Sequence, residues 1–92
     1  MKIGSVTGHV VATTKDPGLI GHKLLIVSLL ESDGREKDEH LVAIDTVGAG
    51  EGDRVLLVSG SSAKQCLSNR EVPIDAAVVA IVDTIEWKGE NR

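Results

Sequence analysis

Residues 41–58 read LVAIDTVGAGEGDRVLLV. Two apolar runs suited to strands, Leu41-Val42-Ala43-Ile44 and Val55-Leu56-Leu57-Val58, enclose an insert with three glycines, Gly48, Gly50 and Gly52. Glycine lets a backbone take positive φ and lets another backbone approach closely. The insert is therefore a tight connection between two strands, a phosphate cradle, or a surface where another chain packs. The spacing disfavours the cradle. A dinucleotide fingerprint needs Gly-x-Gly-x-x-Gly after a strand and opening a helix, whereas here a strand follows Asp53, and no Gly-Lys-Ser/Thr of a P-loop is present.

Outward from this stretch, the chain reads as a series of short strands. Residues 2–14 (KIGSVTGHVVATT) are rich in Val, Ile and Thr and predict strand 1, with Gly4, Val6, Gly8 and Val10 on one face by period-2 alternation. Glycines within a strand mark a bend or a close backbone approach. Lys15-Asp16-Pro17-Gly18 predicts a turn. Residues 23–30 (KLLIVSLL) predict strand 2, apolar on both faces and so covered on both. Residues 31–40 (ESDGREKDEH) read as a solvated hairpin tip with Asp33-Gly34 as its turn. Strand 3 is expected over 41–45, strand 4 over 54–59 and strand 5 over 75–83, again apolar on both faces.

Between strands 4 and 5, residues 61–67 (SSAKQCL) predict one short helix. Ser62 and Gln65 have the spacing of a capping box, and Asn69 suits the residue that closes a helix. Five close-spaced strands and one short helix suggest a small all-β barrel or sandwich, a single domain over residues 1–86 with a polar tail at 87–92. So short a helix cannot cover the outer apolar faces of both strand 2 and strand 5, and another copy of the chain is the economical cover.

Composition narrows the function. The chain has 92 residues, room for one small core. A net charge of −4 repels nucleic acid and acidic membranes weakly. With no Phe, no Tyr and a single Trp, the aromatic platform of single-strand binders is missing. The sole cysteine, Cys66, allows no intrachain disulfide. Met1 to Ser5 forms no apolar signal core, and no apolar run approaches the roughly 18 residues of a membrane span; a cytoplasmic protein without membrane association is expected.

The candidates for chemistry are weak. His9, His22 and His40 lie in separate segments, so no metal site and no cofactor are expected. Ser59, Ser61 and Ser62 lack a nucleophile elbow, and Cys66 reads as an inert buried thiol. Asp45, Asp53, Asp75 and Asp83 border strands, where aspartate commonly shapes turns. Asp45 is the candidate to anchor the glycine loop by accepting its N–H groups. No catalytic residue is assigned.

Three blocks carry a family resemblance: residues 43–53 (AIDTVGAGEGD); Gly4-x-Val6-x-Gly8-x-Val10-Val11-Ala12-Thr13 with Lys15-Asp16; and residues 75–83 (DAAVVAIVD). Together they resemble the EutN/CcmL family, the vertex proteins of bacterial microcompartment shells, carboxysomes included. The resemblance implies a five-stranded, OB-like β-barrel that assembles as a cyclic homopentamer. It implies a structural, non-enzymatic role in the shell of a cytoplasmic microcompartment, capping vertices beside hexameric shell proteins, with no cofactor. On this basis Gly48, Ala49 and Gly50 become candidate pore or ring contacts, and Ile85 and Trp87 candidate subunit contacts. The rival expectation is an OB-fold oligonucleotide-binding protein, against which charge and the missing aromatics weigh.

Overall fold

The computed structural model describes residues 1–13, 17–60, 63 and 75–86. The elements run β1 (Lys2–Val10), a 3-10 turn (Pro17–Leu19), β2 (Leu24–Leu30), β3 (Glu36–Asp45), β4 (Arg54–Ser59) and β5 (Ala76–Ile81). They form a closed barrel in the order β1-β2-β3-β5-β4. Each neighbouring pair is antiparallel except β3 with β5, joined in parallel through Ile44↔Ala77 and Asp45↔Val78. A parallel pair cannot be joined by a tight turn, and the chain passes through β4 before β5 returns beside β3. Closure leaves no open sheet edge to recruit another strand.

The interior is aliphatic throughout. Val6, Leu25, Val27, Leu29, Ala43, Ala49, Val55, Leu57, Ala76 and Val78 make one buried cluster. They come from alternate positions of each strand, as filling a small barrel requires. Gly4 belongs to this face: a Cβ there would lie 2.2 Å from Val27 Cγ1 and 3.1 Å from Leu57 Cδ1. A second cluster, Ile44, Ala63 and Ala77 with Leu19, Leu24, Val58 and Val79 packed on it, lies on the outer face. Ala63 is helical and fully buried, while the other residues of the helix expected over 61–67, and Asn69, lie outside the described residues. This cluster buries Ala77 and packs against Val79 on the outer face of β5, while Ile81 at the end of the strand stays exposed.

The strand boundaries differ from expectation most at β1 and β3, and β2 and β5 are also shorter than expected, spanning Leu24–Leu30 and Ala76–Ile81 where 23–30 and 75–83 are expected. β1 ends at Val10, not at residue 14, because its partner β2 begins at Leu24, which pairs with Val10; beyond that point no ladder extends the strand. β3 begins at Glu36 rather than Leu41, since Leu30↔Glu36 and Ser28↔His40 continue the pairing towards the turn. Residues Glu36 to His40 all stay exposed, so their charges remain solvated while main-chain bonding to β2 overrides poor strand propensity. The turn itself falls at Asp33-Gly34, with Gly34 at φ 92° and its N–H bonded to Glu31 O at 2.9 Å.

A bulge also changes one face assignment. Val6 pairs with Val27 but Gly8 pairs with Ile26, which leaves Thr7 as an extra residue in β1. Gly8 is thereby turned to the outside with Ile26 instead of sharing the inner face with Val6. Simple alternation cannot anticipate an inserted residue.

Candidate functional site

The glycine insert closes one end of the barrel, and two aspartates fold it. Asp45, the last residue of β3, accepts the N–H of Val47 at 3.1 Å and of Ala49 at 3.2 Å on Oδ1. Its Oδ2 lies 3.7 Å from Lys23 Nζ, and the same ammonium donates to the Ala49 carbonyl. Asp53 Oδ2 accepts the N–H of Gly50 at 2.9 Å. The loop is also tied to β1 and β5. Gly52 N–H donates to Val6 O and Val6 N–H to Asp53 O, each at 2.9 Å, and Thr46 Oγ1 donates to Val78 O at 2.7 Å. The Asp45-to-Val47 bond is an Asx turn, the local habit that makes aspartate common where strands end.

Glycine is needed at only some of these positions. Gly48 and Gly52 have φ of 80° and 92°, a region that side chains with a Cβ rarely adopt. Gly50 has no positive φ, and a Cβ there would meet nothing within 4 Å. The Ala49 methyl is fully buried in the barrel core, so among Gly48, Ala49 and Gly50 only the two glycines reach the surface. The phosphate reading fails on chemistry as well as on spacing. The N–H groups of Val47, Ala49, Gly50 and Gly52 already bond to Asp45, Asp53 and Val6, and two carboxylates line the loop that would have to receive an anion.

The remaining candidates are dispersed. Ile85 is half-buried and lines a hollow with Ser32, Asp33 and Arg54, which shares no residue with the glycine loop. Trp87, Cys66, Ser61 and Ser62 lie outside the described residues. Asp75 and Asp83 are exposed, as are His9 and His40. Among the described residues no group of three or more His, Cys, Asp or Glu side chains could hold a metal ion, and no helix is long and apolar enough to cross a membrane. Sequence reasoning missed Lys23. No local signal marks it, because it meets Asp45 and Ala49 only where the start of β2 passes the end of β3.

A closed barrel of five strands in the order 1-2-3-5-4, with its end plugged by a self-satisfied loop, places the chain in the OB-type barrel class. The chain belongs to the EutN/CcmL family: the family described as "Ethanolamine utilisation protein EutN/carboxysome" matches residues 1–83. It is 50% identical over 86 residues to the carboxysome shell vertex protein CcmL of Nostoc sp., covering 92% of this chain and 85% of that one. It is 43% identical over 90 residues to the microcompartment shell vertex protein EutN of Escherichia coli K12, covering 98% and 95%. The solved pentameric microcompartment shell protein GrpN of Rhodospirillum rubrum superposes with a TM-score of 0.87 at 46% identity, covering 95% of this chain and 99% of that one. These relatives favour a shell vertex protein over the oligonucleotide-binding alternative, and they are structural proteins of a shell.

Proposed function

We propose that five copies of this chain close into a ring that caps a vertex of a bacterial microcompartment shell. The observation that carries this is the near-complete match, in sequence and in barrel geometry, to shell vertex proteins and to the pentameric GrpN. The chain is a vertex protein placed in the shell of a cytoplasmic microcompartment, and its work is geometric. A five-fold unit supplies the curvature that a flat hexagonal layer lacks, and the neighbours at its rim are hexameric shell proteins. It acts without catalysing a reaction and without nucleic acid, in keeping with its charge of −4 and single aromatic residue.

Asp45 is the anchor of the glycine loop, supported by its two backbone bonds and its pairing with Lys23. Gly48 and Gly50 are the ring contacts nearest the five-fold axis, with Ala49 holding them in place from within the core. Ile85 and Trp87 contribute subunit contacts, residues 1–86 form the barrel unit and 87–92 its tail.

Native mass spectrometry tests the stoichiometry. A dominant species at five times the 9.7 kDa chain mass is expected, and a stable monomer or dimer would overturn the ring.

A further inference from the structure

Of the aspartates in the chain, only Asp33 precedes a glycine, and this step sits at the tip of the β2–β3 hairpin. An aspartate–glycine step carries its own chemistry. The Gly34 main-chain nitrogen can attack Asp33 Cγ, because glycine has no Cβ to hinder the approach. The N–Cγ bond forms, and the carboxyl OH leaves with the amide proton as water. Water then opens the five-membered imide at one of its two carbonyls. Opening at Cγ restores aspartate. Opening at the main-chain carbonyl gives isoaspartate, in which the chain runs through Cγ and the α-carboxyl is free. Water is the only co-reactant.

The hairpin tip opposes this reaction at both reacting groups. Gly34 N–H donates to Glu31 O at 2.9 Å, and Glu31 N–H donates to Arg35 O at 2.7 Å, so the turn is closed from both sides. The attacking nitrogen is therefore committed until the turn opens. Asp33 Oδ1 accepts the Arg35 N–H at 3.1 Å, and Oδ2 lies 2.7 Å from Arg35 Nε. Both oxygens are pinned by one residue, through its backbone and its side chain. Arg54 of β4 borders the same hollow as Asp33 and puts a second cation near the carboxyl. The Arg35 N–H, with its guanidinium, keeps the Asp33 pKa below the ordinary value. At neutral pH the group is a carboxylate, with no OH to lose.

We infer that Asp33 is a latent isoaspartate site, held in the ordinary linkage by Arg35 and by the Glu31–Gly34 turn bond. The consequence of its release is local. Isoaspartate places one extra carbon in the main chain just before the pairing of Leu30 with Glu36, so the exposed strand end from Glu36 to His40 would lose its register. The inner cluster has no member among residues 30–40, and the barrel would stay folded. Asp33 is exposed, which leaves the freed α-carboxyl open to an enzyme that methylates such groups for repair.

The test ages wild type, Arg35→Ala and a free peptide of residues 29–39 side by side at neutral pH. Isoaspartate is read by resistance to a protease that cleaves before aspartate and by electron-transfer fragmentation, with far-UV circular dichroism to report the barrel. The free peptide is expected to isomerise fastest. Wild type should run roughly tenfold or more below it, since the reaction waits on opening of the turn. Arg35→Ala should lie between them, several-fold above wild type, with an unchanged strand spectrum. If the alanine chain loses that spectrum, Arg35→Gln, which keeps a long side chain without the charge, is read in its place. Wild type keeping pace with the peptide would overturn the inference, and so would a folded Arg35 variant no faster than wild type.

Discussion

Asp45 Oδ1 accepts the N–H of Ala49 at 3.2 Å, and this contact across four residues fixes the loop so that the alanine methyl enters the barrel end. Lys23 closes the same circuit by reaching both the Asp45 carboxylate and the Ala49 carbonyl. Asp45→Ala would remove the acceptor of two N–H groups and the carboxylate beside the Lys23 ammonium, which keeps the Ala49 carbonyl. Hydrogen bonds to charged groups contribute about 1.5–3 kcal/mol, so a loss of about 2 kcal/mol is expected. For a domain of this size that lowers Tm by roughly 10 °C. Asp45→Asn, which keeps an acceptor at Oδ1, should lose less. Thermal melts at one fixed protein concentration check this, and an unchanged Tm in Asp45→Ala would refute the anchoring role.

Gly4 and Gly50 should respond in opposite ways to the same change. Gly4→Ala drives a methyl into Val27, and overpacking of this kind costs about 1–3 kcal/mol. Gly50→Ala meets nothing in the chain and should leave the barrel's melting unchanged. Any effect of Gly50→Ala is expected in the mass distribution of the assembly, as befits a contact between copies. Chemical denaturation for Gly4→Ala and native mass spectrometry for Gly50→Ala make the comparison.

Gly48→Ala carries a different penalty. Its φ of 80° is strained for any residue with a Cβ, at about 1–2 kcal/mol, although the space around it is open. Denaturant midpoints should therefore fall for Gly48→Ala and not for Gly50→Ala, two positions apart. Equal midpoints would contradict the loop geometry.

Leu25 is fully buried at the centre of the aliphatic core. Leu25→Ala is expected to cost about 2–5 kcal/mol, a large share of the roughly 5–15 kcal/mol that holds an ordinary domain together. Urea denaturation followed by circular dichroism measures the loss.

Asp33 gives a prediction in pH. The backbone N–H of Arg35, 3.1 Å from its carboxyl, is the main cause holding its pKa below the ordinary 3.8, and the Arg35 guanidinium adds to it. A carboxyl whose folded pKa is lowered adds stability above its unfolded value and loses it as pH falls through the folded one. The site is exposed and screened by solvent, so melting between about pH 5 and 8 should not change with it. Carbon-13 titration should place Asp33 below 3.8, and still below it in Arg35→Ala, since the backbone donor remains.

Much of the barrel was legible from local chemistry. β4 occupies the span expected of it, Asp33-Gly34 turns the β2–β3 hairpin, and the glycine insert joins two strands because a strand and not a helix follows Asp53. The border position of Asp45 marked it as a residue able to bond the loop's N–H groups, because an Asx turn spans two residues and leaves a trace in sequence. Lys23 left none, since its partners are distant along the chain.

The sequence by itself determined the aliphatic core, the number of strands along the chain and the family, because apolar alternation, turn residues and the glycine–aspartate block are short-range patterns. Only the tertiary structure decided which apolar faces remain open. Ala77 on the outer face of β5 is buried in the cluster around Ala63, while the bulge at Thr7 turns Gly8 outward and Val10 and Val42 stay exposed on β1 and β3. Burial of a face depends on what the closed barrel brings against it, and pairing register depends on two strands at once. Neither quantity is a property of any single stretch of chain.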